Sequence, residues 1–294
     1  MTGIDPIPAI REEDAQGETA TMFADLRASL GVPFVNLIWR NLATIPGGLA
    51  WTWTLVKPLY ASQDLAAAAA DLRGMVRLPD LEPVPGHAWD AAGLEAEART
   101  TILGLVANYN HANSLNFLAM LVARSVLRGE GEGQDAPASA AVPAAPAPPE
   151  PTPRLLAMSE LSPPVLRLVQ DLDGFGRLGD NEAIASLYRH LAHWPPYLAM
   201  ARTALLPLHR SGFLAAEQRR LIEAGQRHAV GLVRHAARVP TLETEATGRA
   251  LPVIEAFTRL MIGRMIVMGT ALQTLVAAQP AGQPPAREDR PNGT

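Results

Sequence analysis

The chain has 294 residues, with 25 Lys and Arg against 29 Asp and Glu, a formal charge of −4 that gives no electrostatic reason to bind nucleic acid. Its 48% hydrophobic residues supply a core for one large domain or two smaller ones, which excludes wholesale disorder. Cysteine is absent, and with it go thiol nucleophiles, disulfides and thiolate-bound zinc.

Residues 1–17 read as an N-terminal arm. The opening MTGIDPIPAIREED has no basic segment followed by an apolar run, so a secretory signal is not expected. Residues 18–133 read as a first helical repeat, with Met22, Leu26 and Leu30 on one helix face. A Leu-Ala-x-x-Pro pattern predicts a helix ending at Thr44, a turn at Pro46 and a second helix beyond it. A long apolar helix is expected over 101–127.

Between Gln134 and Arg154 lie 21 residues that include seven Pro and seven Ala, with no large apolar anchor. Such a stretch is expected to be a semi-extended, solvated linker. Residues 155–278 read as a second helical repeat. In it Asp180 and Glu182 are placed as the N-cap and first-turn acid before a helix ending at His193, with a turn at Pro195. Leu214, Gln218, Leu221 and Ile222 share a later helix face.

The most apolar stretch, 251–278, is interrupted by Glu255, Arg259 and Arg264. Each charge would cost about 2.5–3.5 kcal/mol at a bilayer centre, so no membrane span is expected. Residues 279–294 read as a disordered tail, and a cytoplasmic location is expected.

The two repeats align without a gap at a constant shift of 149. VNLIWRNLATIPGGLAWTWTLVKPLY (35–60) falls on IASLYRHLAHWPPYLAMARTALLPLH (184–209), with identities that include Arg40/Arg189, Pro46/Pro195 and Pro58/Pro207. Alternating strand patterns are absent. The expected fold is therefore all-α, a duplicated helical unit forming an intramolecular pseudo-dimer.

Chemistry is most conspicuous at NYNHANSLN (108–116), a polar segment inside an otherwise apolar helix. Tyr109, Asn113 and Asn116 are spaced to share one stripe. A buried amide without partners costs about 1–3 kcal/mol, so these groups either bridge helices or line a largely apolar pocket. The second repeat places Ile262 and Met265 where the first has Asn113 and Asn116, whereas a purely architectural need would recur in both. Arg264 stands alone in LMIGRMIVM, either reaching the surface or offering its fork to a substrate carboxylate. His190 and His193 lack a further ligand at metal-binding spacing, so no metal site is expected. Neither a phosphate loop nor a GxSxG serine site is present.

Together, VPFVNLIWRNLATIPGGL (32–49), YNHANSLNFL (109–118) and LAHWPPYL (191–198) resemble the group I 2-haloacid dehalogenase (DehI) family over about residues 17–275. The resemblance implies an all-helical fold of two linked repeats and hydrolysis of 2-haloalkanoates. In that reaction an Asp activates a water for direct, inverting attack on the halogen-bearing carbon, assisted by an Asn. The family's Asn falls on Asn113, and the Ser preceding the catalytic Asp falls on Ser186. The Asp itself falls on Leu187, which cannot accept a proton. Pocket aromatics fall on Phe34 and Leu37, pocket tyrosines on Asn116 and Phe257, and an aliphatic pocket residue on Arg264. Asp180 and Glu182 are the candidate substitute bases.

The leading expectation is accordingly a 2-haloacid dehalogenase-like hydrolase whose reaction lacks the usual base. The alternative is a catalytically silent protein binding a small apolar carboxylate between the repeats. Either takes a small-molecule carboxylate, with no cofactor, metal, nucleic acid or membrane as partner, and a homodimer remains open.

Overall fold

The computed structural model describes residues 7–134, 152–179 and 183–277. Most of the expected linker, the whole expected tail, and Asp180 and Glu182 lie outside the described residues. Within them every regular element is helical, and the sole extended pairing is an isolated bridge between Gln134 and Ala237.

The first half comprises α1 (Gly17–Leu30), α2 (Leu37–Leu42), α3 (Gly48–Tyr60), α4 (Gln63–Met75), α5 (Gly86–Ala91) and α6 (Ala96–Leu127). The second comprises α7 (Pro163–Gly174), α8 (Ser186–Leu191), α9 (Pro195–Arg210), α10 (Phe213–Leu232), α11 (Thr244–Ala256) and α12 (Gly263–Val276). Local chemistry sets many of these limits. Gly31 ends α1 with a left-handed φ of 65°. The Ser62 hydroxyl caps α4 by accepting from the Asp64 amide, and Pro195 opens α9 where its missing N–H costs nothing. Helices α2 and α8 lie 149 residues apart, and Pro58 and Pro207 sit near the ends of α3 and α9.

Helix α6 is about 48 Å long at 1.5 Å per residue and forms the centre of the molecule. It packs along α12 and against α10, α4, α11 and α3. From Ala112 to Ala123 it is buried on every side, so the polar segment read from the sequence lies in the core. The stretch 251–277, which the expected repeat would lay against it, is not one continuous helix. A π-turn, Phe257–Ile262, separates α11 from α12. Thr258 Oγ1 donates to the carbonyls of Ile254 and Glu255, partnering groups that the widened turn would otherwise leave short of donors.

Close helix contacts depend on glycine at two places on this axis. A Cβ at Gly225 of α10 would stand 2.2 Å from Phe117 Cε1, and one at Gly269 of α12 would stand 3.2 Å from Asn110 Oδ1. Among the described residues, no helix is long and apolar enough to cross a membrane.

Gly225→Ala is expected to destabilise the protein by about 1–3 kcal/mol, because the fully buried Phe117 ring must move and overpacking outweighs alanine's helix propensity. Urea unfolding of the two proteins checks this; equal or greater stability of the variant would refute it.

Candidate functional site

The start of α2, the start of α8, the middle of α6 and the π-turn converge on one cavity of about 30 Å³, close to the volume one water takes in the liquid. Ten of its lining residues form five pairs, each separated by 149 positions: Asn36/Ala185, Leu37/Ser186, Ile38/Leu187, Asn113/Ile262 and Asn116/Met265. Tyr109, Phe257 and Met261 complete the wall. The pairs are chemically unequal. The three asparagines come from the first half, whereas the second half contributes Ser186 and otherwise apolar side chains. The cavity thus has a polar side and a largely apolar one.

Hydrogen bonds fix how the polar wall is presented. Trp39 Nε1 and the Tyr60 hydroxyl both donate to Asn116 Oδ1, at 3.0 and 2.7 Å. Two donors on one oxygen settle the amide orientation, so Asn116 Nδ2 turns away from them, and it has no protein partner although buried. Asn36 Nδ2 donates to Asn113 Oδ1 at 3.3 Å, which leaves Asn36 Oδ1 buried and unpaired and the Asn113 amide nitrogen free to donate. The cavity therefore offers amide donors and one acceptor. Arg40, itself buried, donates to Ser186 Oγ at 3.0 Å and holds that hydroxyl in place.

Tyr109 separates this cavity from an outer pocket of about 240 Å³ that also contains Phe34, Arg40, Arg154 and His190. Its ring stacks on Phe34 at 4.0 Å, and its hydroxyl shares a 2.8 Å hydrogen bond with His190 Nδ1. Burial, reinforced by His193, Arg189 and Arg40, lowers the His190 pKa from 6.5 to about 3, so the ring is neutral at pH 7. Burial also pushes the Tyr109 hydroxyl well above its ordinary value, and it stays protonated.

Of the residues singled out from the sequence, Asn113, Asn116, Leu37, Ser186, Leu187 and Phe257 meet at this one cavity. Two do not. Phe34 lies behind Tyr109 in the outer pocket and supports the wall instead of forming it. Arg264 neither snorkels nor faces the cavity. It is 1% exposed, donates through Nη1 to the Asp173 carbonyl, and pairs through Nη2 with Asp173 Oδ1 at 3.1 Å. The reason is that Asp173, itself fully buried, needs a counter-charge there; Arg177 supplies a second.

Asn36, Ile38, Arg40 and His190 are site residues that the sequence reading passed over. The ungapped repeat held the signal for the first two, since it lays Asn36 and Ile38 against Ala185 and Leu187. No carboxylate lines the cavity among the described residues, and none of them groups three or more His, Asp or Glu in a metal-binding cluster.

Two outcomes follow from these burials. Arg264→Ala strands a buried carboxylate and is expected to cost about 3–5 kcal/mol in urea unfolding; a loss below 1 kcal/mol would contradict its place beside Asp173. Because the folded-state His190 pKa is depressed, the unfolded chain takes up that proton first, and stability falls as pH drops below about 6.5 and levels near pH 3. Between pH 6 and 4 the wild type should lose about 1.4 kcal/mol per pH unit more than His190→Gln, and parallel stability profiles would show that His190 is not buried neutral.

No family model and no curated protein matches the chain. Solved structures of D-2-haloacid dehalogenase do match. A mutant form shares 19% identity at a TM-score of 0.76, and the alignment covers 93% of this chain and 97% of that one. The complex with L-LA shares 19% identity at a TM-score of 0.77 with the same coverage, and a mutant with D-2-CPA shares 18% at 0.73, covering 92% and 97%. The expected all-helical class is thus met along nearly the whole length of both molecules, and the chain has the fold of the D-2-haloacid dehalogenases.

Proposed function

We propose that the protein binds a small 2-substituted carboxylic acid between two duplicated helical units, residues 18–133 and 155–278, and that the hydrolytic step of a 2-haloacid dehalogenase is blocked for want of a base. The observation that carries this reading is the contrast within one cavity between Asn116 Nδ2, a buried and unpaired donor, and Leu187, fully buried where the family places its Asp. Five lining pairs at a single sequence shift support the duplication.

In the bound state the acid's carboxylate accepts from Asn116 and Asn113, and its 2-substituent lies toward Phe257, Met261 and Ile262. Met261 and Met265 must withdraw for it, because about 30 Å³ is too little for a three-carbon acid. Hydrolysis would require a water aligned on the carbon opposite the halide and a group to take its proton as the oxygen–carbon bond forms. Asn113 can orient that water, but an amide does not accept the proton and neither does Leu187. Loss of general-base catalysis forfeits about 10²–10⁴ in rate.

Two measurements test this. Calorimetry with 2-chloropropionate is expected to show binding by the wild type, weakened about tenfold or more by Asn116→Leu; absence of binding by any small 2-substituted acid would sink the proposal. Halide release from 2-chloropropionate and 2-bromopropionate should be negligible for the wild type and appear in Leu187→Asp. Brisk release by the wild type would show instead that the protein is a working dehalogenase with a different base.

A further inference from the structure

A second pocket, of about 380 Å³, lies on the far side of the π-turn from the cavity. Arg124 reaches it from α6, Arg128 from the residue that caps α6, Gln226 from α10, Glu255 from α11, and Thr258 and Arg259 from the π-turn. Three guanidinium groups converging on one concavity repel one another unless acids answer them. Arg128 is answered: it donates to Glu255 Oε1 through Nε at 2.9 Å and Nη2 at 2.5 Å, and lies 3.6 Å from Glu130. Arg124 and Arg259 have no direct ion pair or side-chain hydrogen bond among the described residues, and the one acid lining the pocket, Glu255, is bound to Arg128 while also lying in the field of Arg124. Arg124 is half-buried, and its Nε is shielded from solvent with no partner at all. Burial first, and then the neighbouring Arg128, lower its pKa, and Glu130 and Glu255 offset this only in part.

Such an arrangement is costly without an anion and favourable with one. We infer that this pocket is a binding site for the phosphate group of a small molecule, held by the forks of Arg124 and Arg259 on separate oxygens, with Arg128 and Gln226 beside them. Phosphate suits the site better than a carboxylate because two forks need more acceptor oxygens than one carboxylate provides. The volume exceeds what a phosphate alone fills and falls within the usual range of small-molecule sites, which favours a monoester over the free ion. The bound group would link α6 to the π-turn, whose Phe257, Met261 and Ile262 face the inner cavity.

Calorimetry at constant ionic strength with inorganic phosphate, glycerol 3-phosphate and succinate tests the assignment. Saturable binding of a phosphate compound is expected, weakened about tenfold or more by Arg259→Gln and by Arg124→Gln, as for loss of a hydrogen bond to a charged group. Tighter binding of glycerol 3-phosphate supports a monoester, and equal affinities support free phosphate. Arg259 is exposed, so its variant reports on binding even where Arg124→Gln compromises folding. No saturable binding, binding unchanged in Arg259→Gln, or succinate bound as tightly as phosphate would overturn it.

Discussion

Everything around the cavity depends on how α6 meets the hydrogen-bonding needs of amides buried in the middle of the molecule. A helix so deeply enclosed could have been wholly apolar; this one carries Asn110, Asn113, Ser114 and Asn116 as buried residues. Each is tied to a different neighbour. Asn110 donates to Thr270 Oγ1 and Gln273 Oε1 of α12, at 3.2 Å each. Asn113 accepts from Asn36 beside α2, Ser114 from Arg73 of α4, and Asn116 from Trp39 of α2 and Tyr60 of α3. Since an unmade bond at any of these groups costs on the order of 1–3 kcal/mol, the polar segment fixes the register of its neighbours as well as the polarity of the cavity wall.

Both halves bring the start of a short helix to the cavity with a carboxylate anchor. Glu12 accepts from the Val35 amide and from Arg27 Nη1, both at 2.7 Å, just before α2. Asp173 accepts from the Ala185 amide at 3.0 Å and pairs with Arg264 just before α8. The anchors differ in burial. Asp173 lies wholly inside and requires an equally buried arginine, which explains a cation in the apolar run that ends the second half. Arg264 thus supports Ser186 and Leu187 through the backbone that precedes them, without reaching any ligand.

Much of this architecture was legible in the chain. The Leu-Ala-x-x-Pro pattern located the α2–α3 and α8–α9 corners, and the shift of 149 relates ten of the residues that line the cavity. The asparagine spacing pointed to a shared stripe. Less was legible where one residue type serves two ends: an arginine in an apolar helix reads equally as a ligand for substrate or a partner for a buried acid. His190 had no ligand-spaced companion and drew little notice, yet its partner Tyr109 lies 81 positions away in sequence and 2.8 Å away in space.

The sequence by itself determined the helical class and the absence of a carboxylate at position 187, because these depend on periodicity and residue identity. Only the tertiary structure decided which way the Asn116 amide faces, that Arg264 answers Asp173, and that Arg124, Arg128 and Arg259 line one pocket with Glu255 as its one acid among the described residues. Those facts rest on contacts between residues distant in the chain, where burial sets the cost of a missing partner and local pattern carries no record of who the partner is.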